Sequence, residues 1–242
     1  MAAERPAGGG NAYDAVAALI QTSILVGDLR PGSRLPDESE LAERHGVGRS
    51  TVREALRVLS GRGWVHTVRG PTGGVFVSQP DAQAMGRDLG DDLAFLIGGE
   101  SVSFAEVLEA RHIHEETAVR LAAARAGPAE VERIRRLAEM GNHLADDPER
   151  FTRANVEFHV AVSEATHNRL LLLWMWAMRQ VLEGVMGAAA STRERRLHVA
   201  KQHVAIANAI AARDPEAAVA AMGLHLRDFE TDYLELKGSI GA

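Results

Sequence analysis

Gly27-Asp28-Leu29-Arg30-Pro31-Gly32-Ser33-Arg34-Leu35-Pro36-Asp37-Glu38-Ser39-Glu40-Leu41-Ala42, followed after three residues by Gly46-Val47-Gly48-Arg49-Ser50-Thr51-Val52-Arg53-Glu54-Ala55-Leu56, decides the fold of the first third of the chain. Pro31-Gly32 marks a turn. Asp37, with Glu40 three residues later, reads as a capping box that starts a short helix over about 37–45. Gly46 stops it. A second helix runs over about 49–60, with Val52, Ala55, Leu56 and Leu59 on its buried face. Arg49, Arg53 and Arg57 follow one another at four-residue spacing along another face, and Gly61 and Gly63 end the run.

Working outward, Tyr13, Val16, Ala17, Ile20 and Ile24 form the apolar stripe of a helix over about 13–26, ended by Gly27. Beyond Gly63 the period changes to two. Residues 64–69 and 74–77 read as strands joined by the Gly70-Pro71-Thr72-Gly73 turn. The order is helix, helix–turn–helix, β-hairpin. After Pro80 every pattern is helical, over about 82–97, 103–126, 129–145, 148–166, 169–190, 193–212 and 215–237. The expected fold class is mainly α: an N-terminal winged helix–turn–helix with a small β-hairpin wing, then an all-α bundle of about seven helices. The domain reading is a disordered terminus over 1–11, the winged unit over 12–79, a linker and first bundle helix over 80–101, and the bundle proper over 102–237.

Charge separates the same two parts. The 242 residues carry a net charge of −6, yet residues 1–80 hold nine arginines against eight acidic groups. Within 44–69, Arg44, Arg49, Arg53, Arg57, Arg62 and Arg69 face only Glu54, a footprint suited to an anionic partner. A solvated charged face reads the same on charge alone. The chain has no cysteine. That excludes disulfides, thiolate catalysis and any thiolate-held zinc or iron–sulfur site, and fits a cytoplasmic setting. No apolar run reaches the length of a membrane span, and Met1–Gly10 lacks a signal core, so no membrane partner is expected.

A recognition helix entering the major groove needs donors for base edges and small hydroxyls for phosphates near its N-terminus. Arg49, Ser50, Thr51 and Arg53 supply them, and Arg69 and Gly70 stand at the tip of the wing. Gly46-Val47-Gly48-Arg49-Ser50-Thr51 lacks the Gly-Lys-Ser/Thr of a phosphate loop, and no buried strand precedes it. The quoted stretch resembles the winged helix–turn–helix of GntR-family bacterial transcription regulators across residues 13–78. The resemblance implies that Arg49, Ser50, Thr51 and Arg53 contact an operator, that Arg69 and Gly70 form the wing tip, and that Arg34 contacts phosphate. Ser39 stands where many members carry Arg, which turns a base contact there into a phosphate contact at most.

The helical part is similar to the FCD-type ligand-binding domain of the FadR subfamily, through 104–111, Leu121-Ala122-Ala123, Phe158-His159, and 214–218 leading to His225-Leu226. Read from the residues alone, His159, His203 and His225 sit on apolar faces of three separate helices. Imidazoles so placed converge on a divalent cation or serve as hydrogen-bonded core residues. The subfamily resemblance implies a metal site of one Asp and three His, with Asn155 in the place of the Asp, so the expected cofactor is a divalent metal (Zn, Ni or Mn) with a weakened ligand set. It also implies that Arg111 holds the carboxylate of an effector; Glu115, one turn on, is the alternative partner. His112 and His114 lie about 200° apart on their helix and cannot share a metal. Trp174, Met175, Trp176 and Met178 read as core or dimer interface.

The functional reading is a homodimeric, ligand-responsive transcription regulator, a repressor released from a palindromic double-stranded DNA operator by a small carboxylate. The enzymatic alternative is a metal-dependent hydrolase or lyase on the three histidines. It needs a general base beside the metal, and the sequence shows none. An architectural DNA binder without a regulatory ligand is the third reading.

Overall fold

A computed structural model describes residues 11–79, 81–189 and 192–240; the disorder expected for the N-terminus falls, apart from Asn11, outside them. The chain divides into two compact units, Met1–Pro80 and Asp81–Ala242.

The first unit holds α1 (Ala12–Leu25), α2 (Glu38–His45), α3 (Arg49–Gly61), β1 (Val65–Val68) and β2 (Gly74–Val77). Its core is the one the apolar spacing requires: Val16, Ala17 and Ile20 of α1 meet Leu41 of α2, Val52, Ala55, Leu56 and Leu59 of α3, and Leu35, Val65 and Val77. A fully buried aliphatic side chain such as Val52 or Leu59 contributes about 1.5–3 kcal/mol. Asp37 caps α2, accepting from the backbone N–H of Ser39 and of Glu40, both at 2.9 Å. Only this half of the expected capping box forms. The Glu40 carboxylate turns to Arg44 instead, at 2.6 Å, because a guanidinium one turn away is a stronger donor than a neutral amide. Gly46 takes φ 64°, the left-handed conformation that ends α2 and lets α3 start two residues later from Gly48.

The wing is antiparallel, with Val65 opposite Val77 and Val68 opposite Gly74. It is also stitched to the segment before α2. Leu35 N–H donates to Val75 C=O at 2.8 Å and Val77 N–H donates to Ser33 C=O at 2.9 Å, which fixes Arg34 opposite Phe76. A side chain at Gly73 would collide with the carbonyl of Val68, so the wing turn is closed to other residues there.

The second unit is helical throughout its described residues: α4 (Ala82–Gly98), α5 (Phe104–Arg125), α6 (Pro128–His143), α7 (Pro148–Glu164), α8 (Arg169–Ala189), α9 (Arg193–Ala211) and α10 (Pro215–Ile240). A reciprocal capping box, Ser103 with Glu106, starts α5, and Pro128 and Pro148 open α6 and α7 where a missing N–H is harmless. The main core joins Val119 and Ala122 of α5, Ile134 of α6, Phe158 and Val162 of α7, Ile206 and Ile210 of α9, and Met222 and Leu226 of α10. A second cluster packs Met175, Met178 and Leu182 of α8 on Val156 and Val160 of α7, with Trp174 and Trp176 partly buried at its edge. Helix α4 lies along α8 through two glycines. A Cβ at Gly86 would sit 2.6 Å from the Trp176 Cβ, and one at Gly90 would sit 2.6 Å from the Gln180 Cβ. Among the described residues no helix is long and apolar enough to cross a membrane.

Candidate functional site

Each unit presents one candidate site. On the first, the N-terminal turn of α3 exposes Arg49, Ser50 and Arg53, with Thr51 half-buried; Ser39 at the start of α2, Arg34, and Arg69 and Gly70 of the wing are exposed as well. Gly48 brings no side chain to cap α3, so the first N–H groups of the helix point outward, as an anion requires. The arginine footprint is more neutral than composition suggests. Arg53 is held fork-on-carboxylate by Glu38, with Nε to Oε1 at 3.2 Å and Nη2 to Oε2 at 2.8 Å. Arg57 pairs with Glu54 at 2.7 Å and Arg44 with Glu40. The Arg53 guanidinium holds the Glu38 carboxyl below its ordinary range. Among the described residues, Arg49, Arg62 and Arg69 are in no ion pair, so the unneutralised charge lies at the two ends of α3 and at the wing tip. Glu38 carried no signal in the sequence, because its contact with Arg53 exists only once α2 and α3 cross.

In the second unit, α5, α7, α9 and α10 bring Arg111, Asn155, His159, His203 and His225 together, all buried. The ring centroids lie 5.2 Å apart for His159 and His203, 5.3 Å for His159 and His225, and 4.8 Å for His203 and His225. One ligand nitrogen from each falls within 4.8 Å of the other two. Phe158 stacks on His203 at 4.0 Å. Asn155 is one turn before His159 on α7 and shares its face.

The outer nitrogens of two of these rings are engaged. His159 Nδ1 bonds to Glu115 Oε2. His225 Nδ1 donates to Gln202 Oε1 at 3.0 Å, and the amide nitrogen of Gln202 donates to Asp228 at 2.6 Å. A bond at Nδ1 fixes the tautomer and leaves the Nε2 lone pair of each ring facing the cluster. Burial, reinforced by the neighbouring imidazoles, pushes His203 well below the ordinary histidine range. Burial, with the neighbouring His159 ring and the Arg111 guanidinium adding to it, does the same to His225. Both are therefore neutral, the form that ligates.

Glu115 is the member that sequence reasoning underrated. It accepts from Arg111 Nε at 2.7 Å through Oε1 and meets His159 through Oε2. Burial pushes its carboxyl up, but His159 and Arg111 outweigh that and hold it well below the carboxylate range. The sequence offers no clear general base near the histidines, and the structure puts one carboxylate, Glu115, against His159. Both oxygens of Glu115 are committed, however, so it positions its neighbours rather than serving as a free base. Arg111 meets Glu115 as the i+4 spacing allows and lies 4.5 Å from the Phe229 ring centroid, but both its terminal nitrogens are without a partner. His114 is buried against the carbonyl of Leu171, while His112 is partly exposed.

One pattern sets this cluster apart. Among the described residues, the buried side-chain nitrogens and oxygens without a hydrogen-bond partner are Arg111 Nη1 and Nη2, Asn155 Oδ1, and Nε2 of His159, His203 and His225. All six belong to the one constellation. Orphaned buried polar groups cost about 1–3 kcal/mol each, so six together mark a built site rather than a packing fault. The donor set, three imidazole nitrogens and an amide oxygen, suits a divalent cation. The two guanidinium nitrogens suit a carboxylate.

Comparison with known proteins agrees with both units. Residues 12–77 match the family described as "Bacterial regulatory proteins, gntR family", and residues 106–228 match the FCD domain. The chain belongs to the GntR family of bacterial regulators. Its pairing of a GntR head with an FCD domain is the FadR-type architecture. This regulator is 33% identical over 220 residues to the "Putative L-lactate dehydrogenase operon regulatory protein" of Escherichia coli K12, covering 88% of this chain and 83% of that protein. It is 30% identical over 223 residues to the HTH-type transcriptional repressor NanR of Klebsiella aerogenes, covering 90% and 83%. Among solved structures, a GntR protein of Streptococcus agalactiae superposes with a TM-score of 0.57 at 25% identity, over 89% of this chain and 97% of that one. These relatives are transcription regulators, not enzymes, so the hydrolase reading of the three histidines is withdrawn.

Proposed function

We propose that this GntR-family protein is a homodimeric repressor that leaves a palindromic operator when its bundle takes up a small carboxylate. Arg49, Ser50, Thr51 and Arg53 face the major groove, Arg69 and Gly70 follow the wing, and Arg34 and Ser39 meet phosphate. The NanR relatives, named as repressors, support the direction of control. The observation that carries the ligand reading is the set of six buried, unpartnered polar atoms. In this reading His159, His203 and His225, with Asn155 as a weaker neutral donor, hold a divalent cation, which supplies a Lewis-acidic seat for an anionic oxygen. Arg111 supplies the second seat. The name of the lactate-operon relative is in keeping with a carboxylate effector.

Binding can switch the dimer only if the ligand favours one arrangement of the bundle over another. The site draws one or more groups from each of four helices, so any ligand that pulls them together acts on the packing of the whole unit. The test is a gel shift on operator DNA with carboxylates added, run beside a thermal-shift screen with and without divalent metal. Release of DNA by a compound that also raises the melting temperature supports the reading. Arg111→Ala is expected to weaken release while sparing DNA binding in the absence of ligand, and Arg111→Lys to restore it only in part. Equal release midpoints for all three proteins would remove Arg111 from the site.

A further inference from the structure

We infer that the anion taken by the buried cluster is a dianion, a small dicarboxylate with its two carboxylates at two separate cationic seats. This rests on the cation-and-carboxylate reading above and adds the charge and shape of the ligand to it. The charges of the site point to a dianion first. Arg111 and Glu115 are both almost wholly buried and cancel one another across 2.7 Å. Histidines that ligate through Nε2 and keep the Nδ1 proton are neutral, and Asn155 is neutral. The groups acting electrostatically on His203 and His225 are the other imidazoles of the cluster, Arg111 and Glu115, with His198 further out toward the surface. No second carboxylate contacts the three rings among the described residues. The protein therefore brings a net charge of zero to the site, and a bound divalent cation leaves its full +2 uncompensated. A buried charge in a medium of low dielectric demands a counter-charge. A monocarboxylate supplies half of it, and a dicarboxylate supplies all.

The placement of the unpartnered donors points the same way, whatever the charges sum to. Glu115 occupies only the Nε edge of Arg111, and Nη1 and Nη2 remain as a two-pronged donor. That end matches one carboxylate bidentately. The three Nε2 atoms and Asn155 Oδ1 define the other seat, for the cation and one anionic oxygen. Two seats, each complementary to a carboxylate, ask for a molecule with two of them.

The test uses the full-length protein, stripped with chelator and reloaded with Zn²⁺ or Mn²⁺, with bound metal measured by elemental analysis. Malonate, succinate and glutarate are titrated calorimetrically beside acetate, propionate, butyrate and lactate. In the loaded wild type, the best dicarboxylate is expected to bind at least about tenfold more tightly than the best monocarboxylate. Asn155→Asp supplies one negative charge from the protein, and it should shrink that ratio by about tenfold at saturating metal. If that variant fails to fold, the stripped wild type takes its place: without the +2 the preference for two charges should disappear. Equal affinity of the two classes for the loaded wild type overturns the inference, as does a ratio that neither Asn155→Asp nor metal removal changes. Failure of the underlying reading shows separately. If no metal is retained after loading, the cation site falls and the charge count falls with it; if metal is retained and neither class binds, the carboxylate reading falls.

Discussion

Two guanidinium–carboxylate pairs, one in each unit, are alike in length and opposite in setting. Arg53 meets Glu38 at 2.8 Å with the side chains 72% and 36% exposed. Arg111 meets Glu115 at 2.7 Å with 2% and 3% exposed. Water screens the first pair, so it adds little to stability and yields readily to a phosphate or a base edge. The second has no such substitute. Separating its members strands a charge in the interior, and the groups it holds are fixed with it. The winged unit thus carries exchangeable charge for a polyanion, and the bundle carries locked charge around a small site.

The comparison breaks most sharply at Glu115. Glu115→Ala should destabilise the bundle by about 3–5 kcal/mol, because it leaves Arg111 buried without its partner. Urea unfolding measures this. The double variant Arg111→Met with Glu115→Leu should recover part of the loss, and a double variant no better than Glu115→Ala would show that the His159 contact dominates. On the exposed side, Arg53→Ala should weaken operator binding about ten- to a hundredfold per half-site with the unfolding midpoint unchanged. A gel shift with unaltered affinity would place Arg53 outside the interface.

Acid sharpens the contrast further. His203 and His225 have their folded-state values pushed below the ordinary 6.5, so below that pH the unfolded chain binds protons that the native state refuses. Stability is intact above pH 6.5 and falls as pH drops beneath it. For metal-stripped protein the decline should be on the order of 1 kcal/mol per imidazole per pH unit. Denaturation midpoints at pH 7.5, 6.0 and 5.0 check it, and a flat profile would mean that the two rings accept protons in place. The smallest effect is expected at Glu38. Glu38→Gln frees Arg53 and should tighten binding to random DNA, steepening its salt dependence by about one counterion per winged unit. The unfolding midpoint should stay where it is.

The helices were legible because their bounds are written locally: Asp37 and Gly46 bracket α2, and Pro128 and Pro148 open α6 and α7. The histidines were legible because imidazoles on apolar faces have few uses. What could not be read was any contact that depends on how helices cross. Glu115 lies 44 residues from His159 on another helix, and its proximity to Arg111 in sequence advertised only one half of its role. Gln202 and Asp228 order His225 through two hydrogen bonds that no spacing announces. Glu38 and Glu40 lie just outside the arginine-rich window, so counting charges within it overstated the field that DNA meets.

Helix α4 meets α8 at Gly86 and Gly90, where no side chain fits between the backbones. That makes the helix keyed: it can neither roll nor slide without driving a backbone into Trp176 or Gln180. One residue inserted between Gly86 and Gly90 would turn the second glycine about 100° off the contact and advance it about 1.5 Å, bringing a side chain to a place where only a hydrogen fits. The key has one cut, and α4 seats on α8 in one register alone.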